Sequence, residues 1–222
     1  MARQTLIVFD DFYENPDAIR KLALSLEYKS KPKATYPGRE AIAPGADWSD
    51  VRNALRQYID QPVDGPCPKD VPFPQGKFRL ALAADQDSRR DGVHEDVQPW
   101  SGVIYLSRSQ DCAGHGAIGF YRHRATGATE TSPEWEQEVF GHLKGLSKEE
   151  YEDRFWAHMR DMRNWEEIQR VAIAYNRAVL LYAQCFHASI GIFGTEPING
   201  RLTQHFEFYY SEEVLREAAG GG

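Results

Sequence analysis

Hydrophobic and polar residues alternate along much of the chain, which is the pattern of half-buried β-strands. Glycine and proline are frequent between the alternating runs, where they favour turns. The pattern predicts a protein of many short strands joined by loops. The predicted strands are residues 5–9, 77–82, 93–97, 102–107, 116–122, 171–175, 178–182 and 201–209.

Two segments near the N-terminus instead carry apolar residues at every third or fourth position, which is the spacing of an amphipathic helix. The first follows Asn15-Pro16-Asp17, which combines a capping residue, a proline at the first helical position and an early acid. The second covers residues 48–59. We predict two helices that flank the strands.

A longer helical pattern interrupts the strands between Thr131 and Arg170. Ser147-Lys-Glu-Glu150 within it fits a capping box. We therefore predict a helical insertion at about 131–170 that covers one mouth of the β-core. The whole pattern predicts one domain, mainly β with flanking helices, with either a β-sandwich or a double-stranded β-helix at its centre.

Composition narrows the class of protein. A chain of 222 residues with 41% hydrophobic and 27% charged residues is typical of one globular domain. The net charge of -7 argues against a general nucleic-acid binder, and no apolar run approaches the length of a membrane span. Three widely spaced cysteines indicate no disulfide framework and favour a reducing cytoplasm.

The strongest chemical signal is the pair His94 and Asp96. Residues i and i+2 of a strand point to the same face, so this imidazole and this carboxylate would meet. Such a pair holds a metal only weakly, and His187 is the best candidate for a third ligand. Two histidines and one carboxylate form the facial triad of non-heme Fe(II) oxygenases, which leaves coordination positions open.

Arg201 and Thr203 show the same spacing after a turn-rich loop that follows His187. An antiparallel hairpin would place Arg201 beside the metal site. A guanidinium binds a carboxylate through two parallel hydrogen bonds, and a hydroxyl adds another. These residues therefore match what 2-oxoglutarate requires at its far carboxylate.

The combination of His94-x-Asp96, His187 and Arg201-x-Thr203 resembles the 2-oxoglutarate/Fe(II)-dependent oxygenase superfamily, and in particular the small bacterial oxygenase-like proteins of the DUF6445 type. The resemblance runs from about residue 9 to residue 210. Its segments are Asp11-Phe-Tyr-Glu-Asn-Pro-Asp-Ala18, Tyr36-Pro-Gly38, Trp100-Ser-Gly-Val-Ile-Tyr-Leu106, Gly119-Phe-Tyr-Arg-His-Arg124 and Asn199-Gly-Arg-Leu202.

The resemblance implies a double-stranded β-helix (jelly-roll, cupin-like) core. It also implies Fe(II) bound by His94, Asp96 and His187, 2-oxoglutarate bound by Arg201, and O2 as the oxidant. It implies no particular substrate.

Further site residues are expected from their places on the predicted strands. Tyr105 and Lys77 are expected near the co-substrate together with Thr203. Core packing is an equal or better interpretation for two of the substrate candidates, Trp100 and Tyr121. The candidates for substrate contact are Arg39, Trp100, Tyr121 and Arg122.

We expect a 2-oxoglutarate-dependent dioxygenase that hydroxylates a small molecule, such as an amino acid or an amino-acid derivative. Nucleic-acid and membrane partners are not expected, and the protein is expected to be a monomer or a homodimer. Two alternatives stay open: a cupin-like metalloenzyme that uses the triad without 2-oxoglutarate, and a non-catalytic module that retains the fold.

Overall fold

The computed structural model describes residues 5–30, 36, 38–67, 73–85, 92–112 and 114–220, with side chains as far as residue 216. The strands are β1 (Leu6–Phe9), β2 (Lys29–Ser30), β3 (Arg39–Ala41), β4 (Lys77–Ala81), β5 (Trp100–Tyr105), β6 (Ala117–His123), β7 (Trp165–Ala172), β8 (Ala178–Tyr182), β9 (His187–Ile190) and β10 (Arg201–Phe208). The α-helices are α1 (Pro16–Leu24), α2 (Ser49–Arg56), α3 (Ser109–Cys112), α4 (Pro133–Phe140), α5 (Lys148–Arg160) and α6 (Glu212–Gly220).

The strands form two antiparallel sheets. The large sheet has the order β1-β8-β5-β10-β4-β3-β2, and the small sheet has the order β7-β6-β9. A single antiparallel bridge between His94 and His187 adds the segment around His94 to the free edge of β9. Neighbours in the sheets are often distant in sequence, so residues from remote parts of the chain meet between the sheets.

The two sheets pack against each other through a cluster of buried side chains. Val103, Val179 and Leu181 of the large sheet share this cluster with Ile118 and Phe120 of the small sheet. Burial of one such side chain stabilises the fold by roughly 1.5–3 kcal/mol relative to leaving it exposed. The space between the sheets is therefore the apolar core, and any polar side chain that points into it requires a partner.

Helices cover the outer face of each sheet. Trp100 and Ile104 point away from the small sheet and pack with Leu55 of α2. On the other side, Trp135 of α4 and Met159 of α5 pack against the small sheet. Within the part of the chain that the structure describes, none of the helices has the length and apolarity needed to cross a bilayer.

The predicted helix starts are confirmed. Asn15 caps α1 because its side-chain oxygen accepts a hydrogen bond from the Ala18 amide at 3.1 Å. Ser147 and Glu150 form the predicted capping box at the start of α5. Both signals depend on residues within one turn of the helix, and that short range explains why the sequence predicts them.

The predicted end of the helical insertion is wrong. The helical part ends at Asn164, and Trp165–Ala172 is strand β7, where we predicted helix as far as Arg170. Trp165 and Val171 are buried while the residues between them are partly or fully exposed, as on an edge strand. Pairing with β6 along this whole segment outweighs its helix propensity.

The predicted strand at 93–97 is wrong in its extent, since only His94 of this segment takes part in strand pairing. The sequence also predicts a polar loop from Asp85 to Asp91, of which 86–91 lie outside the described residues. It predicts a turn at Tyr36-Pro37-Gly38, and this turn lies partly outside them, because Pro37 is among the residues left out. All three cysteines are described, and they form no disulfide.

Candidate metal centre

His94, Asp96 and His187 converge at one point between the sheets. Nε2 of His94 lies 4.0 Å from Oδ1 of Asp96, and Nε2 of His187 lies 3.8 Å from Oδ2 of Asp96. One potential ligand atom from each of the three residues lies within 4.8 Å of the other two. Nitrogen and oxygen ligands bind transition metals at about 2.0–2.2 Å, so small side-chain rotations would bring all three onto one ion.

The backbone sets this arrangement. The amides of His94 and His187 each donate to the carbonyl of the other residue at 2.9 Å, so the two imidazoles stand side by side. The Asp96 amide donates to Ala183 O at 2.8 Å, which keeps the segment extended and returns Asp96 to the same face. Glu95 points the other way, and its carboxylate accepts a hydrogen bond from the Thr131 hydroxyl at 2.7 Å.

Both histidines present the same nitrogen to the centre. Nδ1 of His94 lies 2.8 Å from Gly92 O, and Nδ1 of His187 lies 2.8 Å from Cys185 O. A carbonyl only accepts hydrogen bonds, so each Nδ1 carries the proton and each Nε2 offers a lone pair. Burial, together with the neighbouring His94, lowers the pKa of His187 to about 4, which keeps this imidazole neutral at pH 7.

A two-lobed cavity extends from the three residues. The lobe at the three residues has a volume of about 100 Å³, and the adjoining lobe has a volume of about 60 Å³ and ends at Arg201. Residues that line both lobes show that the lobes are contiguous. These shared residues are Tyr36, Arg79, Val103, Ile118, Ser189 and His205.

Arg201 spans the gap between the sheets. Its Nη1 donates to the carbonyls of Ile190 and Gly191 at 2.9 and 3.0 Å, at the end of β9. The Tyr105 ring lies beside the guanidinium, with 5.9 Å from its centroid to Cζ. The Tyr105 hydroxyl is buried and makes no hydrogen bond within the described residues. A guanidinium next to a buried hydroxyl suits a carboxylate ligand.

The predicted hairpin between His187 and Arg201 is wrong. His187 begins β9 of the small sheet, whereas Arg201 begins β10 of the large sheet. The loop between them crosses from one sheet to the other, so the two residues face the cavity from opposite sides. The expected proximity of Arg201 to the metal centre therefore comes from sheet packing.

Thr203 lines the Arg201 lobe, where its hydroxyl lies 2.8 Å from Nε2 of His205. Burial, with Arg79, Lys77 and Arg201 nearby, holds the pKa of His205 well below its usual range. Lys77 lies outside both lobes, and its Nζ forms an ion pair with Oε1 of Glu40 at 2.5 Å. The expected contact of Lys77 with a co-substrate is therefore not supported, because a buried carboxylate already holds its ammonium group.

The structure places the four predicted substrate residues away from the cavity. Trp100 packs on the opposite face of β5, where its indole donates to Gln61 Oε1 at 2.7 Å. Tyr121 faces the helices behind the small sheet, because it lies on the face of β6 opposite to Ile118 and Phe120. Arg39 pairs with Asp85 at 3.3 Å, and Arg122 pairs with Glu166 at 3.3 Å on the surface.

The helical insertion also lies away from the cavity. Its aromatic residues pack on the outer face of the small sheet, and no described residue that lines the two lobes comes from 131–164. The prediction that the insertion covers a mouth of the core is therefore wrong. Large side chains such as Trp135 and Phe140 are buried against the sheet instead.

Arg79 and Tyr36 are two of several cavity residues that the predicted site does not include. Arg79 of β4 lines both lobes, and its Cζ lies 4.0 Å over the ring of Tyr36. Arg79 is two residues from Lys77, so the alternation of β4 contained the signal for its position. Tyr36 carried no such signal, because it lies outside the strands and helices.

A family model described as "Family of unknown function (DUF6445)" matches residues 1–208. The match covers most of the chain, so the protein belongs to this family. No curated protein matches the sequence.

Solved structures also match. One is the Fe(II)/α-ketoglutarate-dependent dioxygenase TqaL, which is 11% identical in sequence, with 93% of this chain and 83% of that chain covered. Its TM-score of 0.41 is too low to support a shared function.

Proposed function

We propose that this protein is an Fe(II)- and 2-oxoglutarate-dependent dioxygenase that hydroxylates a small molecule. One observation carries the proposal. Two histidines and an aspartate converge at one end of a cavity whose other end contains a buried arginine and a buried tyrosine hydroxyl.

The donor set fits Fe(II). Two imidazole nitrogens and one carboxylate oxygen occupy three positions of a six-coordinate ion and leave the others open. The backbone carbonyls behind each Nδ1 hold the imidazoles in the ligating tautomer. Fe(II) would therefore require neither a change of tautomer nor the loss of a proton from His187.

The residues around Arg201 fit 2-oxoglutarate. Its far carboxylate would accept hydrogen bonds from the Arg201 guanidinium and the Tyr105 hydroxyl, and Thr203 lies on the same wall. When bound, iron, 2-oxoglutarate and O2 supply an oxidant that removes hydrogen from an unactivated carbon, with succinate and CO2 as by-products. The co-substrate would lie between the metal-binding residues at one end of the cavity and Arg201 at the other. Val103 and Ile118 would form apolar walls around it.

The proposed core is a double-stranded β-helix, which is supported by two antiparallel sheets that face each other across the metal centre. The proposed substrate is a small polar molecule such as an amino acid or its derivative. The small volume near the metal centre and the cation of Arg79 on its wall support that class.

The test is an assay for succinate with Fe(II), ascorbate and 2-oxoglutarate, with and without a panel of free and carrier-bound amino acids. We expect succinate formation that requires iron, that at least one panel member stimulates, and that Asp96→Ala abolishes. Arg122→Ala is the matched control, because its ion pair lies on the surface. Wild-type protein that neither binds 2-oxoglutarate nor forms succinate would contradict the proposal.

The contacts of Arg201 favour one alternative. Because Nη1 already donates to two carbonyls, Arg201 also serves as a link between the sheets. A cupin-like metal protein that does not use 2-oxoglutarate would retain the arginine for this reason alone. Titration of the Fe(II)-loaded protein with 2-oxoglutarate separates the two, because only the dioxygenase would develop a charge-transfer absorption.

A further inference from the structure

We propose that Gln98 and Ser101 are positioning residues that hold Asp96 so that it binds the metal through one oxygen. This inference rests on the proposed function, because it requires a metal at the three-residue centre. It adds two residues that do not touch the metal and act only through Asp96.

The two residues converge on one atom. Gln98 Nε2 donates to Oδ2 of Asp96 at 2.8 Å, and the Ser101 hydroxyl donates to the same Oδ2 at 3.3 Å. Gln98 Nε2 also donates to Ser101 Oγ at 2.8 Å. An amide nitrogen has two hydrogens and a hydroxyl both donates and accepts, so all three hydrogen bonds can form at once.

The fold holds this group rigidly. Ser101 lies on β5 beside Trp100, and the strand alternation turns the Trp100 side chain outward and the serine toward the cavity. Gln98 lies two residues after Asp96, and only 4% of its surface is exposed. A buried amide destabilises a fold unless it is hydrogen-bonded, so its placement against a carboxylate indicates a specific role.

The two oxygens of the Asp96 carboxylate have different surroundings. Oδ2 lies 3.8 Å from Nε2 of His187 and accepts both hydrogen bonds, while Oδ1 accepts neither of them and lies 4.0 Å from Nε2 of His94. With Oδ2 held, Asp96 would bind an ion through Oδ1 alone and leave the remaining positions open. Without the two donors, the carboxylate could rotate and chelate the ion with both oxygens, which would occupy a position that a co-substrate needs.

The charge of the two hydrogen-bond donors also suits a metal site. Gln98 and Ser101 are both neutral, so they orient the carboxylate without cancelling its negative charge. An arginine at the same place would orient it equally well but would weaken its attraction for a divalent cation. The structure therefore combines a fixed geometry with a full charge on the ligand.

The experiment uses Co(II) alone as the probe, with affinity measured by calorimetry and coordination read from the visible absorption of the bound ion. Gln98→Met retains the shape of the side chain and removes both donated hydrogen bonds. Gln184→Met is the matched control, because Gln184 lies near the site but donates to Val97 O at 3.2 Å. We expect Gln98→Met to weaken Co(II) binding about 10- to 100-fold, the usual effect of losing an outer partner of a metal ligand, and to change the absorption.

The outcomes separate the inference from the proposed function. Wild-type protein that binds no Co(II) would overturn both. Tight binding by the wild type with an unchanged absorption spectrum in Gln98→Met would overturn only the inference, whether or not the affinity falls. If Gln98→Met does not fold, Ser101→Ala tests the inference by the same measurements of Co(II) affinity and visible absorption. We expect a smaller loss of Co(II) affinity, because the Ser101 hydrogen bond is the longer one.

Discussion

The two ends of the cavity are built in different ways. At the metal end, each histidine is oriented by the carbonyl two residues before it, and Asp96 is held by Gln98 two residues after it. At the other end, Arg201 is held by Ile190, the last residue of β9 in the opposite sheet, and by Gly191, which follows it.

This difference predicts different responses to mutation. Local contacts survive as long as the strand segment stays extended, so a change at the metal end should alter binding more than stability. Contacts between sheets depend on sheet packing, so a change at Arg201 should alter both. Three substitutions test this contrast between the two cavity ends. A fourth experiment, on acid stability, concerns a pair of histidines outside the cavity.

The largest effect is expected at the metal end. His94→Ala should lower the Mn(II) affinity at least about 100-fold, since even outer-shell partners of metal ligands are worth 10–100-fold. The free energy of unfolding without metal should change little, because the His94 side chain is partly exposed. Calorimetry and denaturant unfolding measure the two quantities. His115→Ala is the control, and unchanged Mn(II) affinity in His94→Ala would contradict the assignment.

Arg201→Ala should lower 2-oxoglutarate affinity about 10- to 150-fold, because a charge-assisted hydrogen bond contributes roughly 1.5–3 kcal/mol. It should also lower the free energy of unfolding by about 1–3 kcal/mol, since the carbonyls of Ile190, Gly191 and Ala117 each lose a donor. Mn(II) affinity should stay unchanged. Loss of metal binding together with 2-oxoglutarate binding would mean that the two ends are one cooperative unit.

Acid should destabilise the protein through a pair of histidines outside the cavity. His123 Nε2 lies 3.2 Å from His158 Nε2, and the Asn164 amide donates to the other nitrogen of His158, so the pair has no room for another proton. Burial lowers the pKa of both histidines. The Glu138 carboxylate opposes this shift at His123. At His158, the neighbouring His123 and His142 add to the lowering and Asp161 opposes it.

A lowered pKa means that the folded state binds fewer protons than the unfolded state. Their contribution to stability is therefore complete above about pH 6.5 and is lost progressively as the pH falls toward the folded pKa values. Melting temperatures from pH 8 to pH 5 should fall less steeply in His158→Gln than in the wild type. Equal slopes would rule out this pair as the source of the acid sensitivity.

The smallest effect is expected for Tyr105→Phe, which removes one hydroxyl beside Arg201. A single hydrogen bond from a neutral hydroxyl to a carboxylate lies at the low end of the charge-assisted range, about 1.5 kcal/mol, so 2-oxoglutarate affinity should fall roughly tenfold. Stability without the co-substrate should stay the same or rise, because the buried hydroxyl has no partner within the described residues. A clear loss of stability would show that the hydroxyl supports the fold and not the ligand.

The same contrast explains what could be predicted from the sequence. His94 and Asp96 were paired by strand spacing, and the caps at Asn15 and Ser147 were recognised from neighbouring residues. Gln98 continues the spacing of His94 and Asp96, but a buried glutamine in a loop carries no signal of its own.

Other features required knowledge of the packing. Every residue of β5 is buried, so its sequence does not show whether Trp100 or Ser101 faces the cavity. Alternation along β6 places Tyr121 on the face opposite Phe120, but the sequence does not show which of these faces lies toward the cavity. The sequence of β7 does not reveal a strand, because its pairing partner β6 lies more than forty residues earlier.

The backbone bridge between His94 and His187 has a consequence for the order of folding. It joins residues separated by 187 − 94 = 93 positions, and contacts of such large separation form late because closing the intervening chain is entropically unfavourable. Hydrogen exchange during refolding should therefore show these two amides becoming protected after those of the β6–β7 pair, whose partners are only 42 to 55 positions apart. A partly folded chain would have both imidazoles but no site, so we expect an ion to enter only once the segment around His94 has paired with the edge of β9.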